Sequence, residues 1–89
     1  MPHVHFTPHL RRHLQCNDLV TSAYSLDAVL KHCFQSIPAL KHYIMDDNGH
    51  IRQHIAVFID GSLVKSRTNL KVALNHDSEI YIMQALSGG

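Results

Sequence analysis

Ile80-Tyr81-Ile82-Met83-Gln84-Ala85-Leu86-Ser87-Gly88-Gly89 reads as an apolar strand that runs out into a pair of glycines. Side chains alternate along extended backbone, so Ile80 and Ile82 point to one side and Tyr81 and Met83 to the other. Beyond Gln84 the character changes. Glycine has no Cβ and accepts almost any φ/ψ, so Gly88-Gly89 makes a thin lead that another protein's groove can close around. The α-carboxylate of Gly89 is then the group at the tip that can do chemistry. A carboxylate is a poor electrophile until a phosphoryl or nucleotidyl group masks its charge, and the sequence has no glycine-rich phosphate loop with which to activate itself. The stretch is therefore expected to be a substrate and not a catalyst.

Working back from it, residues 75–78 turn into this strand, and residues 70–74 form a connection with buried anchors. Ile55-Ala56-Val57-Phe58-Ile59, flanked by His54 and Asp60, is the most strand-like segment. Five successive apolar residues predict a central strand with one face under a helix and the other under neighbours or a partner protein. Asp60-Gly61 marks a tight turn and Leu63-Val64 a short return strand, while Asp46-Asp47-Asn48-Gly49 is a strong turn ahead of the central strand. Before that turn, Leu26, Val29, Leu30, Cys33, Phe34 and Ile37 recur at the spacing of one helix face. They predict an amphipathic core helix with Ser25 as its N-cap and Asp27 in the first turn. Pro38 ends that run, and residues 39–45 add one irregular helical turn.

At the start of the sequence, Val4 and Phe6 alternate with His3, His5 and Thr7 as a first strand that Pro8 breaks. Asn17-Asp18 signals a turn, and a short second strand is expected between residues 12 and 23. This order predicts one domain over residues 1–89. Its fold class is an α+β roll, with a mixed sheet of four to five strands packed on one main helix. The first and last strands should lie side by side in the middle, so that the helix can cross over with the usual right-handed connection.

Eight Lys and Arg against seven Asp and Glu, with no run of one sign, argue against nucleic acid or an anionic membrane as partner. No apolar run approaches the roughly 18 residues that span a bilayer, and no basic segment precedes an apolar one at the start, so a cytoplasmic location is expected. Cys16 and Cys33 show no zinc or Cys-x-x-Cys spacing, and are expected to be reduced thiols without a catalytic role. Nine histidines are the compositional oddity. His3 and His5 put both rings on one strand face, but the spacing supplies no third or fourth ligand, and the expectation is a solvated face and no metal.

Across nearly its whole length the sequence resembles the ubiquitin-like β-grasp sulfur carriers, which include the small subunit of molybdopterin synthase and the carrier for the thiazole of thiamin. The resemblance rests on Phe6 followed by Leu10-Arg11-Arg12, the helix over 25–34, and Pro38-Ala39-Leu40. It continues through Asp46-Asp47-Asn48-Gly49-His50-Ile51-Arg52, Val57-Phe58-Ile59-Asp60-Gly61 and Ser78-Glu79-Ile80-Tyr81-Ile82, and runs on to Ala85-Leu86-Ser87-Gly88-Gly89. Gln84-Ala85 departs from the prolines usual in the molybdopterin branch. The resemblance implies that an E1-like adenylating enzyme uses ATP to activate the Gly89 carboxylate. Sulfur then displaces AMP, and the thiocarboxylate passes sulfide to a biosynthetic acceptor enzyme. Gly88, Ser87 and Leu86 would be the tail that enters the partner's active site, with no cofactor bound to the carrier itself.

The partner surface expected from strand parity is Tyr81 and Met83 beside Phe58, extended by Leu86. Arg11 follows the first strand, and the resemblance implies that it pairs with an acidic rim. Two other readings share the sequence features. A ubiquitin-like modifier would join the activated Gly89 to lysine amines, and a plain binding module would dock its sheet and leave Gly-Gly inert.

Overall fold

The structure, a computed structural model, describes residues 1–14 and 18–84. Strand β1 (His3–Phe6) leads into helix α1 (Pro8–Leu14) and strand β2 (Leu19–Val20). Helices α2 (Leu26–Ser36) and α3 (Ala39–Ile44) follow, then strands β3 (Ile55–Ile59), β4 (Ser62–Leu63) and β5 (Glu79–Gln84). The five strands form one mixed sheet in the order β2-β1-β5-β3-β4. β1 and β5 run parallel side by side in its middle, and the other pairs are antiparallel.

The core forms where the alternation of the strands meets the stripe of the helices. Val4, Phe6, Ile55, Val57, Ile80 and Ile82 supply the buried face of the sheet, and Leu26, Val29, Leu30 and Cys33 the buried stripe of α2. Leu40 and Ile44 of α3 and Leu10 of α1 close the same cluster. Ile80 and Ile82 are fully buried on the middle strand, so β5 is the element around which the sheet is packed. Cys33 is a small buried hydrophobe within this stripe.

Three sequence expectations change. Pro8 begins a helix instead of merely breaking a strand: its fixed φ suits the first helical position, where a missing N–H costs nothing. The Arg11 N–H donates to the Thr7 carbonyl at 2.9 Å as the turn closes. Ser25 does not cap α2 through its side chain; its hydroxyl donates to the Asp27 carboxylate. The free N–H groups of Leu26 and Asp27 instead donate to the backbone carbonyls of Val72 and Leu70, each at 2.9 Å, so the 70–72 connection caps the helix. Residues 39–44 form a regular helix, α3. As expected, β3 is an inner strand paired on both sides, with Ala56 and Phe58 half-buried on the face away from the helices.

Two turns are fixed by polar groups. Asp60 and Gly61 both have positive φ, the geometry of the tight two-residue hairpin between β3 and β4. The Asp60 carboxylate then accepts the Glu79 N–H at 2.9 Å and the Ser78 hydroxyl at 3.1 Å, tying this turn to the start of β5. Arg67 staples the segment before β3, its Nη1 donating to the carbonyls of Arg52 and Ile55. No helix among the described residues is long and apolar enough to cross a membrane.

Candidate functional site

The face of the sheet away from the helices collects the side chains that strand parity left out of the core. Opposed residues on neighbouring strands share a face. The pairings His5↔Tyr81, Tyr81↔Phe58 and Phe58↔Leu63 therefore lay one row across four strands. Met83 stands opposite Ala56 along β5 from this row. Tyr81 is 45% exposed, Met83 36% and Leu63 49%, with Phe58 half-buried between them. Tyr81 and Met83 thus occupy the open face, beside Phe58, where the sequence put them. Leu63 was not singled out from sequence; only the hairpin register brings it into the row.

At the other end of β5 this face turns polar. His3 and His5 point the same way from β1, and the register sets Glu79 opposite His3. His5 Nε2 lies 2.7 Å from Glu79 Oε2, and His5 Nδ1 lies 3.1 Å from Asp18 Oδ2. The Phe6 N–H donates to the other Asp18 oxygen at 3.2 Å, and the Tyr81 ring stacks on His5 with centroids 4.6 Å apart. The hydrogen bond to Glu79 raises His5 above the ordinary imidazole value against the opposing effect of burial, and Asp18 adds to the rise. Burial alone would raise the Asp18 carboxyl, but hydrogen bonds from His5 and the Phe6 N–H, with the charge of Arg11 nearby, hold it below its usual value. The sequence signal for this cluster was His-x-His; Glu79 came from the parallel pairing of strands more than seventy residues apart, and Asp18 from the position just before β2.

Arg11 is exposed on α1, and it makes no salt bridge among the described residues. Leu86, Ser87, Gly88 and Gly89, with Cys16, lie outside the described residues. The point from which the tail departs is described. Gln84 closes β5, opposite Ile55, and its side-chain carbonyl accepts a hydrogen bond from the Tyr43 hydroxyl of α3. Tyr43 also meets the His54 ring edge-on at 5.8 Å.

A mixed sheet with parallel first and last strands in its middle, packed on one principal helix, is the ubiquitin-like β-grasp. Solved structures share this fold over nearly the full chain. Small archaeal modifier protein 1 from Methanosarcina acetivorans is 24% identical, with 99% of this chain and 95% of that one covered and a TM-score of 0.81. A chain of the Amycolatopsis orientalis BexX/CysO complex is 14% identical, with both chains fully covered and a TM-score of 0.83. Urm1 from Sulfolobus solfataricus is 22% identical, with 93% and 99% covered and a TM-score of 0.70. At these identities the likeness is one of fold. No protein-family model matches the sequence, and no curated protein sequence matches it.

Proposed function

We propose that this protein is a sulfur carrier. An adenylating enzyme of the E1 type uses ATP to convert the Gly89 carboxylate to an acyl adenylate. Sulfur displaces AMP to give a thiocarboxylate, and an acceptor enzyme takes the sulfur into a biosynthetic product. The observation that carries this reading is the position of Ala85-Leu86-Ser87-Gly88-Gly89 directly after β5, the middle strand of a β-grasp, with Tyr81 and Met83 exposed on the strand that leads to it. A carboxylate beyond two glycines can reach a nucleotide in another protein's cleft without side chains to obstruct it. The domain serves as a protein substrate, binds no cofactor for this role, and works in the cytoplasm. Likeness in fold to CysO and Urm1 supports the reading.

A second reading, conjugation of Gly89 to lysine amines, is favoured by the likeness to the small archaeal modifier proteins. Both begin from the same adenylate and part at the nucleophile. Intact mass of the protein from its native host tests them together. The carrier appears with one oxygen exchanged for sulfur at Gly89, whereas the modifier appears as Gly89-linked adducts on other proteins. Neither species, or a chain continuing past Gly89, overturns both readings.

A further inference from the structure

We infer that His3, His5 and Glu79 form a binding site for a divalent transition-metal ion of the zinc type, at the end of the open face away from the tail. Sequence supplied two ligands on one strand face and no third. The parallel register of β1 with β5 supplies it, because it sets Glu79 opposite His3 and one step from His5. One donor atom from each of the three residues lies within 4.8 Å of the other two. His5 Nε2 and Glu79 Oε2 are 2.7 Å apart, and His3 Nδ1 is 3.9 Å from the same oxygen. Small side-chain rotations therefore bring all three around one ion. All three stand on strands in the middle of the sheet, which hold ligand positions better than loops do.

The surroundings of His5 are those of a built ligand. Its Nδ1 faces the Asp18 carboxylate at 3.1 Å, and that carboxylate is itself held by the Phe6 N–H. This leaves Nε2 as the coordinating nitrogen and fixes the ring, the arrangement in which a carboxylate orients and strengthens a metal-bound imidazole. Tyr81 stacked on the ring restricts it further. Two imidazoles and one carboxylate suit zinc and its neighbours in the first transition row, and they leave a fourth position for water. Coordination uses the Nε2 lone pair of a ring that keeps its Nδ1 proton toward Asp18; a ring protonated at both nitrogens gives its Nε2 proton to solvent as the metal bond forms.

His3 and Glu79 are about half exposed, which gives the ion a way in. With one position open to water, the site is weaker than a closed four-ligand structural zinc site. Glu79 and Gln84 bound β5, so the ion would sit roughly 16 Å along the strand from the departing tail. The site is thus separate from the chemistry proposed for Gly89.

The test is a titration of tag-free protein with Zn²⁺ near neutral pH, followed by calorimetry and by NMR of histidine rings and backbone amides. The expected result is one equivalent bound, with shifts at the His3 and His5 rings and the Glu79 and Tyr81 amides. His5→Ala and Glu79→Gln should each weaken binding at least tenfold, and Asp18→Asn about tenfold. His76→Ala should leave it unchanged. Melting without zinc checks that each variant folds; should His5→Ala fail, His3→Ala, altered at a more exposed ring, makes the same comparison. No saturable binding, affinity unchanged in Glu79→Gln, or shifts centred on other histidines would each overturn the assignment.

Discussion

The Tyr43 hydroxyl on α3 donates a hydrogen bond to the side-chain carbonyl of Gln84, the last residue of β5. Packing alone could hold Ile80 and Ile82, which are fully buried, but Gln84 is polar and at the strand's end. The bond keeps the final turn of the ladder closed at the place where the tail begins. Tyr43→Phe removes the hydroxyl and retains the ring that meets His54. It should cost about 1 kcal/mol of stability, the net worth of one neutral hydrogen bond. Amide exchange should quicken at residues 82–84 more than elsewhere. Uniform loss of protection would place the effect in the core instead.

Residues whose reading depended on local periodicity were legible before the structure. The stripe from Leu26 to Cys33 and the opposed faces of Ile82 and Met83 follow from spacing alone, and both appear in the core and on the open face as expected. What was not legible had one local cause and otherwise depended on distant pairing. α1 was missed because Pro8 after a strand reads as a break, when it is equally a first helical residue. The capping of α2 was misassigned to Ser25 because the real acceptors, the carbonyls of Leu70 and Val72, are some forty residues away. Glu79 beside His5 was hidden for the same reason: the ligand on the other strand is set by register, which no window of the sequence contains.

Acid should weaken the fold in part through Asp46. Its carboxylate accepts the His50 N–H at 3.0 Å and the Asn48 N–H at 2.9 Å, closing the turn at Gly49. The His50 bond is the main reason that the carboxyl sits below its ordinary value of 3.8, with burial opposing and Asn48 adding. A folded value below the unfolded one means that the unfolded chain binds the proton more readily. The stabilisation is therefore fully present above the ordinary value and is lost as pH falls through the lowered one. Asp46→Asn keeps an acceptor and removes the titration. The melting temperatures of wild type and variant should differ most above pH 4 and converge below it. A difference independent of pH would show that the turn, and not its charge, was being measured.

Activation should require a free carboxylate at Gly89. A peptide fused after Gly89 converts that carboxylate to an amide, which cannot attack the α-phosphorus of ATP. With the cognate activating enzyme, the extended protein should form no adenylate, measured as pyrophosphate exchange, while its melting temperature stays that of the unextended form. Gly88→Val should fold normally and lose most of the exchange rate, since a β-branched side chain thickens the lead that must enter the cleft. Adenylate formation by the extended protein at the native rate would end the carrier reading.

Ile82 and Met83 are neighbours on β5 with opposite fates, and substitution should separate stability from recognition. Ile82 is fully buried against the helices, and Ile82→Ala should cost about 2 to 5 kcal/mol through lost burial and the cavity left behind. Met83 is 36% exposed opposite Ala56, on the face that carries Tyr81, Phe58 and Leu63. A carboxylate there stays in contact with water, so Met83→Asp should leave the melting temperature nearly unchanged. In a complex the same carboxylate is forced into the centre of an apolar contact, where a charge without a partner weakens binding by about 2 kcal/mol or more. Calorimetry against the activating enzyme and against the acceptor enzyme measures this directly. Unchanged affinity for both would move the docking surface off this face, and unfolding by Met83→Asp would place Met83 in the core.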